Sequence, residues 1–144
     1  MTIPQSLSLV TYSSQHFAGV KKLWEECFPD DPPWNAADEA IPAKLAIQPE
    51  LLIVAVDQGI VVGSVMPGYD GHRGWLYALA VLNSYRRRKV GTLLVEEAEK
   101  RLRALGCTKI NLQVRTSNQA VAGFYKRLGY DVEERVSMGK RPPS

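Results

Sequence analysis

The sequence has few cysteines, no long apolar run and no cluster of metal ligands. Its 144 residues include two cysteines, Cys27 and Cys107, which we interpret as separate reduced thiols because they lie far apart in the chain. No segment reaches the roughly 18 apolar residues that a membrane-spanning helix needs. Residues 1–6 carry neither the basic nor the apolar part of a signal peptide. These absences argue against a secreted disulfide scaffold, a membrane protein and a metal site, and they favour a cytoplasmic protein.

Charged residues are present in ordinary amount but are unevenly placed. Residues 1–73 carry four Lys/Arg and nine Asp/Glu, whereas residues 74–144 carry 14 and six. The net charge of +3 therefore divides into −5 and +8. A basic half suits an anionic ligand. Nucleic acid is one such ligand, but the chain lacks zinc-finger spacing, a basic zipper and an RNA-recognition aromatic motif, so a nucleic-acid binder is the least favoured function.

Hydrophobic periodicity predicts one α/β domain over residues 1–144. We expect a twisted mixed sheet of six to seven strands with helices on both faces, antiparallel in its first half and ending in a parallel strand–helix–strand unit. Proline at position 42 should break the second helix or shorten its first turn. The predicted strands are 7–12, 51–56, 60–66, 75–81, 108–114, 130–136 and a short last one at 137–141. The predicted helices begin near residues 14, 36, 90 and 119, giving the order strand, helix, helix, three strands, helix, strand, helix, strand and last strand.

Four consecutive cations, residues 86–89, separate the strand at 75–81 from the helix that begins at Val90. A strand that feeds a cationic loop into a helix N-terminus is an arrangement that binds phosphate, because the first helical N–H groups lack intrahelical partners and carry partial positive charge. Gly91 has no Cβ, which lets an anion approach the backbone closely. The alternative is a solvated basic turn.

This loop resembles the phosphate-binding motif of the GNAT superfamily, the acetyl-CoA-dependent N-acetyltransferases. The motif reads Arg/Gln-x-x-Gly-x-Gly/Ala, with Arg86 in first place and Gly91 in sixth. Lys89 stands in fourth place, where the family usually has glycine. A left-handed backbone there would cost about 1 kcal/mol or more. We expect ordinary helical angles instead, because Gly91 remains where close packing is needed. The family's second motif is matched by Asn118 and by residues 124–130. Residues 33–35, 68–74 and 128–130 resemble a small bacterial branch of the family, the YpeA type.

The resemblance implies acetyl-CoA as cosubstrate and direct attack of an amine on its thioester in a ternary complex. The pyrophosphate would lie on the loop amides, the pantetheine arm along the open edge of the strand ending at Val81, and Asn118 against CoA. Tyr125 matches the family's general acid. The resemblance assigns cofactor binding to Leu79, Ala80, Val81, Arg86, Arg87, Arg88, Lys89, Val90, Gly91, Thr92, Asn118 and Tyr125.

The sequence does not identify the general base. Many relatives carry Glu on the strand before the loop, but Trp75–Val81 contains no Asp, Glu or His. The missing carboxylate and Lys89 leave open a non-catalytic, CoA-binding regulatory module. The acceptor expected of an enzyme is a small-molecule or peptide amine, and pairing of two chains through a sheet edge is also left open. The candidate bases are Glu25, Glu26, Asp70, His72 or a water chain.

Overall fold

The computed structural model describes residues 2–143, which form two compact units, the first ending at Gln113 and the second beginning at Val114. Within these residues, no helix is long and apolar enough to cross a membrane. The first unit contains five strands and three α-helices, and the second contains one α-helix. In chain order the elements are β1 (Leu7–Thr11), α1 (Phe17–Cys27), α2 (Ala37–Ile47), β2 (Ile53–Asp57), β3 (Ile60–Tyr69), β4 (Gly74–Val81), α3 (Val90–Ala104), β5 (Ile110–Leu112) and α4 (Gln119–Arg127).

The five strands form one mixed sheet in the order β1-β2-β3-β4-β5. The first three pairings are antiparallel, and β5 runs parallel to β4. The link between β2 and β3 is a two-residue hairpin in which Gln58 and Gly59 both have positive φ, 51° and 80°, as this tight turn requires. The predicted antiparallel half, followed by a parallel strand–helix–strand unit, is confirmed.

Helices α1 and α2 pack on one face of the sheet, and α3 packs on the other. Val54 of β2 belongs to the buried cluster that α1 and α2 form with the sheet. Its fully buried neighbours Ile53 and Ala55 point to the opposite face, because side chains alternate along a strand, and α3 contacts β2 there. A Cβ on Gly63 would lie 2.9 Å from Leu94 Cδ1 of α3, so this glycine permits close packing. The prediction of helices on both faces is confirmed for the first unit.

Residues 130–141 form neither strand nor helix, where the sequence predicts a sixth strand and a short seventh. Val132, Val136 and Met138 are 76%, 88% and 89% exposed, so these apolar side chains do not form the buried face that the predicted strands need. The N–H of Arg135 donates to the carbonyl of Glu133 over 3.0 Å, a tight turn that interrupts extended backbone. The prediction of six to seven strands is therefore wrong for the described residues, which contain five.

Helix α2 continues through Pro42, where we expected a break or a very short first turn. The helix runs unbroken over Ala37–Ile47 with Pro42 inside it. Proline removes one backbone hydrogen bond from a helix, but Ala37 and Ile41 are buried against the α1 cluster. Tertiary packing of these side chains offsets the lost bond, as it commonly does for short helices.

Candidate active site

A basic turn joins the end of β4 to the start of α3, the longest helix among residues 2–143. One turn of 3-10 helix, Asn83–Tyr85, precedes the four cations. The carbonyl of Lys89 accepts the N–H of Leu93 over 3.0 Å, which starts the hydrogen bonding of α3. The N–H groups of residues 90–92 have no intrahelical acceptor and lie at the positive end of the helix dipole. The first turn of α3 is therefore suited to an anion.

Two residues of this turn, Arg87 and Lys89, have left-handed backbones, with φ of 63° and 64°. The prediction of ordinary helical angles for Lys89 is wrong, because Lys89 is the N-cap of α3 at φ 64° and ψ 9°. Each of these left-handed positions costs about 1 kcal/mol or more, because both residues carry a Cβ. Such backbone turns gather N–H groups into an anion-binding concavity. Within residues 2–143, no hydrogen bond uses the N–H groups of residues 87–89.

Two of the four cations are held in place by the surrounding structure. Arg86 Nε donates to the Val81 carbonyl over 3.4 Å, which connects the turn to the end of β4. The guanidinium of Arg88 lies 5.0 Å from the centre of the Tyr85 ring, a cation–π contact. The other two cations are exposed. Fixed and mobile cations together suit recognition of phosphate oxygens.

A buried carboxylate, Asp57 at the end of β2, anchors this turn. Asp57 is 5% exposed and accepts hydrogen bonds from the hydroxyls of Ser6 and Tyr85. These two bonds hold the pKa of Asp57 below its usual value. Because the Tyr85 ring also contacts Arg88, Asp57 positions that cation through Tyr85. The sequence analysis did not identify Asp57 as part of the site, because no short motif links residues so far apart in the chain.

Strand β4 extends beyond its parallel partner and leaves an open edge. β5 pairs with β4 only over residues 74–76, whereas β4 continues to Val81. Its other edge stays paired with β3 as far as Val81. Within residues 2–143, no strand covers the β5 side of Leu79–Val81. The segment for which the resemblance implies pantetheine binding is thus an uncovered strand edge that runs into the basic turn.

A bulge in β4 precedes this open edge, and the sequence analysis missed it. Ala78 has a left-handed backbone, φ 52°, and the β3–β4 register shifts beside it. The hydroxyl of Ser64 donates to the Ala78 carbonyl over 2.9 Å, and the Trp24 indole N–H donates to that hydroxyl over 2.8 Å. Alanine has no preference for such a position, so the local sequence carries no signal for it.

The remaining predicted site residues, Asn118 and Tyr125, lie in the second unit. Asn118 is the N-cap of α4, and its side-chain oxygen accepts the N–H of Val121 over 3.3 Å. Tyr125 is buried, and burial raises its pKa to about 12. Its ring makes edge contacts with Phe124 and Tyr130, at centroid distances of 5.1 and 5.5 Å. These contacts fix the tyrosine ring within its own unit.

The four candidate bases differ in their surroundings. Glu25 and Glu26 are exposed on α1, and Glu25 lines a cavity of ≈ 290 Å³ between α1 and residues 29–38. Asp70 accepts the backbone N–H groups of His72 and Arg73 at 2.7 Å each, and these bonds lower its pKa. A carboxylate held in this way is a weaker base. His72 is exposed in the same turn.

Comparison with known proteins agrees with this arrangement. Residues 17–130 match the Acetyltransferase (GNAT) family. A relative named acetyltransferase, from Yersinia pestis (strain Pestoides F), is 44% identical over 132 residues, which are 90% of this chain and 92% of the relative.

Two solved structures share the fold. Aminoglycoside N-acetyltransferase AAC(6')-Iy in complex with CoA matches with a TM-score of 0.76 at 19% identity, covering 94% of each chain. The NatC complex bound to Gag peptide and CoA matches with a TM-score of 0.78 at 25% identity, covering 91% of this chain and 88% of that one.

The chain therefore belongs to the Acetyltransferase (GNAT) family, as the resemblance of its two motifs predicted. It is an acetyltransferase. The YpeA-type branch stays a prediction.

Proposed function

We propose that this acetyltransferase moves the acetyl group of acetyl-CoA to a primary amine by direct attack in a ternary complex. The observation that carries the proposal is the open edge of β4, which leads directly into a basic turn with two left-handed residues at the start of α3. Acetyl-CoA has an extended pantetheine arm, which suits the open edge, followed by a diphosphate, which suits the basic turn. The two solved structures named above contain CoA in proteins of the same fold.

The donor is held by the backbone and by the cations of the turn. The diphosphate would accept hydrogen bonds from the N–H groups of residues 87–92, where helix dipole and left-handed turn act together. Arg86 and Arg88, fixed by Val81 and Tyr85, would pair with phosphate oxygens. The pantetheine arm would extend the sheet along Leu79–Val81 as an added strand. Its thioester would then lie beside the β4 bulge.

In the chemical step, the lone pair of the neutral amine attacks the thioester carbonyl carbon. The nitrogen then gives up a second proton as the carbon–sulfur bond breaks, which leaves an amide and the CoA thiolate. The acceptor ammonium must first lose a proton, and the carbonyl oxygen must be stabilised as it gains negative charge. Backbone N–H groups on the open edge of β4 are the donors proposed for that oxygen. The thiolate must be stabilised as it leaves.

Tyr125 is proposed to stabilise the departing thiolate. Its pKa of about 12 keeps the phenol protonated at neutral pH, so its hydroxyl is available as a donor. As the carbon–sulfur bond breaks, this hydroxyl donates a hydrogen bond to the departing thiolate. Of the two protons that the ammonium loses in forming the amide, one ends on the CoA sulfur and the other goes to solvent.

The acceptor is proposed to be a cationic amine, on a small molecule or a peptide. The ≈ 290 Å³ cavity beside α1 is lined by the carboxylates of Glu25, Asp31 and Asp38 together with Lys21. Asp38 pairs with Lys21 at 2.9 Å, which leaves the cavity with an excess of negative charge. Glu25 or an intervening water is the base that this cavity favours, since Asp70 is engaged by backbone N–H groups.

The test is thiol release from acetyl-CoA across a panel of amines: an aminoglycoside, a polyamine, a peptide with a free N-terminus and a lysine peptide. We expect Tyr125→Phe to lower turnover on the best amine on the order of a hundredfold, because the donor to the sulfur is lost. Acetyl-CoA affinity, measured by calorimetry, should change by less than about threefold, since the phosphate contacts persist.

Tyr12→Phe is the matched control, because it removes the hydroxyl of another buried tyrosine outside the proposed site. Its turnover should stay near that of the unmodified protein. Equal losses of turnover and affinity in Tyr125→Phe would assign Tyr125 to packing. No thiol release with any amine would reject the proposed reaction.

A further inference from the structure

We propose that Trp24 and Ser64 are positioning residues for acetyl transfer, because they hold the left-handed bulge at Ala78 and thereby fix the open edge of β4. The inference rests on the proposed function, in which the thioester lies along that edge. Both side chains act on the thioester only through the backbone of β4.

The bulge adds one residue to β4 relative to β3. On β3, Ser64 pairs with Ala80 and Met66 pairs with Tyr77, so two residues on β4 stand opposite one on β3. A bulge of this kind bends the strand and changes the direction of the groups that follow it. The N–H groups of a strand point alternately to its two edges. After an extra residue, each later N–H therefore points to the opposite edge from the one it would otherwise face.

The position of the bulge makes this exchange matter for the reaction. Pairing with β5 ends at Leu76, the bulge follows at Ala78, and the open edge begins at Leu79. The bulge therefore decides which N–H groups of residues 79–81 face the uncovered side, where the thioester oxygen needs a donor. If the bulge relaxed, those donors would be misplaced although the basic turn stayed intact.

The left-handed backbone of Ala78 needs other groups to stabilise it, because the alanine Cβ disfavours that conformation. Ser64 is fully buried, and its only hydroxyl proton is committed to the Ala78 carbonyl at 2.9 Å. Trp24 is 5% exposed, and its indole N–H reaches the same hydroxyl oxygen at 2.8 Å. The donation therefore runs in one direction, from Trp24 to Ser64 to Ala78, and the tryptophan fixes the rotamer of the serine.

The same tryptophan connects both halves of the proposed site. Trp24 lines the ≈ 290 Å³ cavity beside α1, where the amine is proposed to bind, and its indole N–H donates to Ser64, which holds the bulge in β4. Packing of an acceptor in that cavity would press on the ring that orients Ser64. Alignment of amine and thioester thus depends on one buried chain of two hydrogen bonds.

The test compares Ser64→Ala, Trp24→Phe and the double variant Ser64→Ala/Ala78→Gly, with Ser8→Ala as a control that makes the same change at an exposed position of β1. Turnover and KM for acetyl-CoA are measured with the best amine of the panel, and hydrogen exchange is measured for a peptide covering residues 76–82.

We expect Ser64→Ala to lower turnover about tenfold with KM within about threefold, and to speed exchange in that peptide. Glycine adopts positive φ without strain, so the double variant should recover most of the lost turnover and protection.

A fall in turnover at nearly constant KM, with faster exchange in residues 76–82, distinguishes positioning from general destabilisation, and rescue by glycine assigns that fall to the backbone conformation of Ala78. Trp24→Phe, which keeps an aromatic ring, should show a smaller loss in the same direction. The inference is overturned if Ser64→Ala keeps the turnover of Ser8→Ala, or if the double variant is as impaired as Ser64→Ala. If the unmodified protein releases no thiol with any amine, the proposed function fails and this role with it.

Discussion

Lys89 holds a left-handed backbone that the family's motif usually gives to glycine. Its side chain adds positive charge at the start of α3, while its Cβ makes the conformation unfavourable. Strain of this kind persists where the surrounding structure requires it, and such positions cluster at functional sites. The residue type gives no hint of the dihedral angle, since lysine is an ordinary helix former. This is why sequence reasoning misjudged Lys89 although it identified the motif around it.

A pair of variants separates the charge of Lys89 from its strain. Both Lys89→Ala and Lys89→Gly remove the cation, but only glycine relieves the left-handed backbone. We expect Lys89→Gly to be more stable than Lys89→Ala by about 1 kcal/mol in urea unfolding. The opposite order, with alanine more stable by a similar amount, is the result for an ordinary helical position and would contradict the observed geometry.

The stability that Asp57 contributes to the basic turn depends on pH. Its pKa is lowered by hydrogen bonds from Ser6 and Tyr85, so the carboxylate contributes stability above the unfolded pKa of about 3.9 and loses it as the pH falls through the lower folded value. Tyr85→Phe removes one of these bonds but keeps the aromatic ring under Arg88. The variant should be less stable than the unmodified protein at neutral pH, and the two should converge as the pH falls below about 4.

Urea unfolding of the two proteins from pH 7 to pH 3 measures this difference. A gap in unfolding free energy that stays constant over the whole range would show that Tyr85 acts through packing and not through Asp57. Tyr12→Phe serves again as the control, because no hydrogen bond between its hydroxyl and a carboxylate is present among residues 2–143.

Among the elements, the basic turn is the one on which donor binding depends. Reversing the charges of Arg87 and Arg88 leaves the backbone amides in place but removes two of the four cations and adds repulsion. We expect Arg87→Glu/Arg88→Glu to weaken acetyl-CoA binding at least about tenfold, and to reduce the salt dependence of the affinity.

The control makes the same change in charge elsewhere, with Arg135→Glu/Lys140→Glu in the exposed C-terminal segment. Calorimetric affinity for acetyl-CoA should then be close to that of the unmodified protein. Equal weakening in both double variants would indicate a general effect of net charge, and unchanged affinity in the first would place the phosphates elsewhere.

The elements of the first unit could be predicted because their apolar residues follow a clear period. The alternation in residues 7–12 and the apolar run at 51–56 identify strands, and the spacing of Val90, Leu94 and Ala98 identifies a helix. The strands predicted in residues 130–141 are wrong, because Val132 and Val136 fit a strand pattern yet are exposed. The β4 bulge could not be predicted, since it depends on Trp24 and Ser64 from distant parts of the chain.

At the scale of the molecule, the site motifs divide between the two compact units. The basic turn and the β4 edge belong to the first, and Asn118 and Tyr125 belong to the second. That residues 1–144 act as one domain stays a prediction. The basic second half of the sequence fits the proposed ligand, since the four cations of residues 86–89 alone supply half of its net charge of +8 and a diphosphate is their proposed partner.

Calorimetric titration of the unmodified protein with acetyl-CoA tests the central claim most directly, because it requires no knowledge of the acceptor. We expect saturable binding of one acetyl-CoA per chain, with a dissociation constant on the order of tens of micromolar or below, and displacement by CoA through the shared diphosphate. An absence of binding at such concentrations would contradict the assignment of the basic turn and the β4 edge as the donor site.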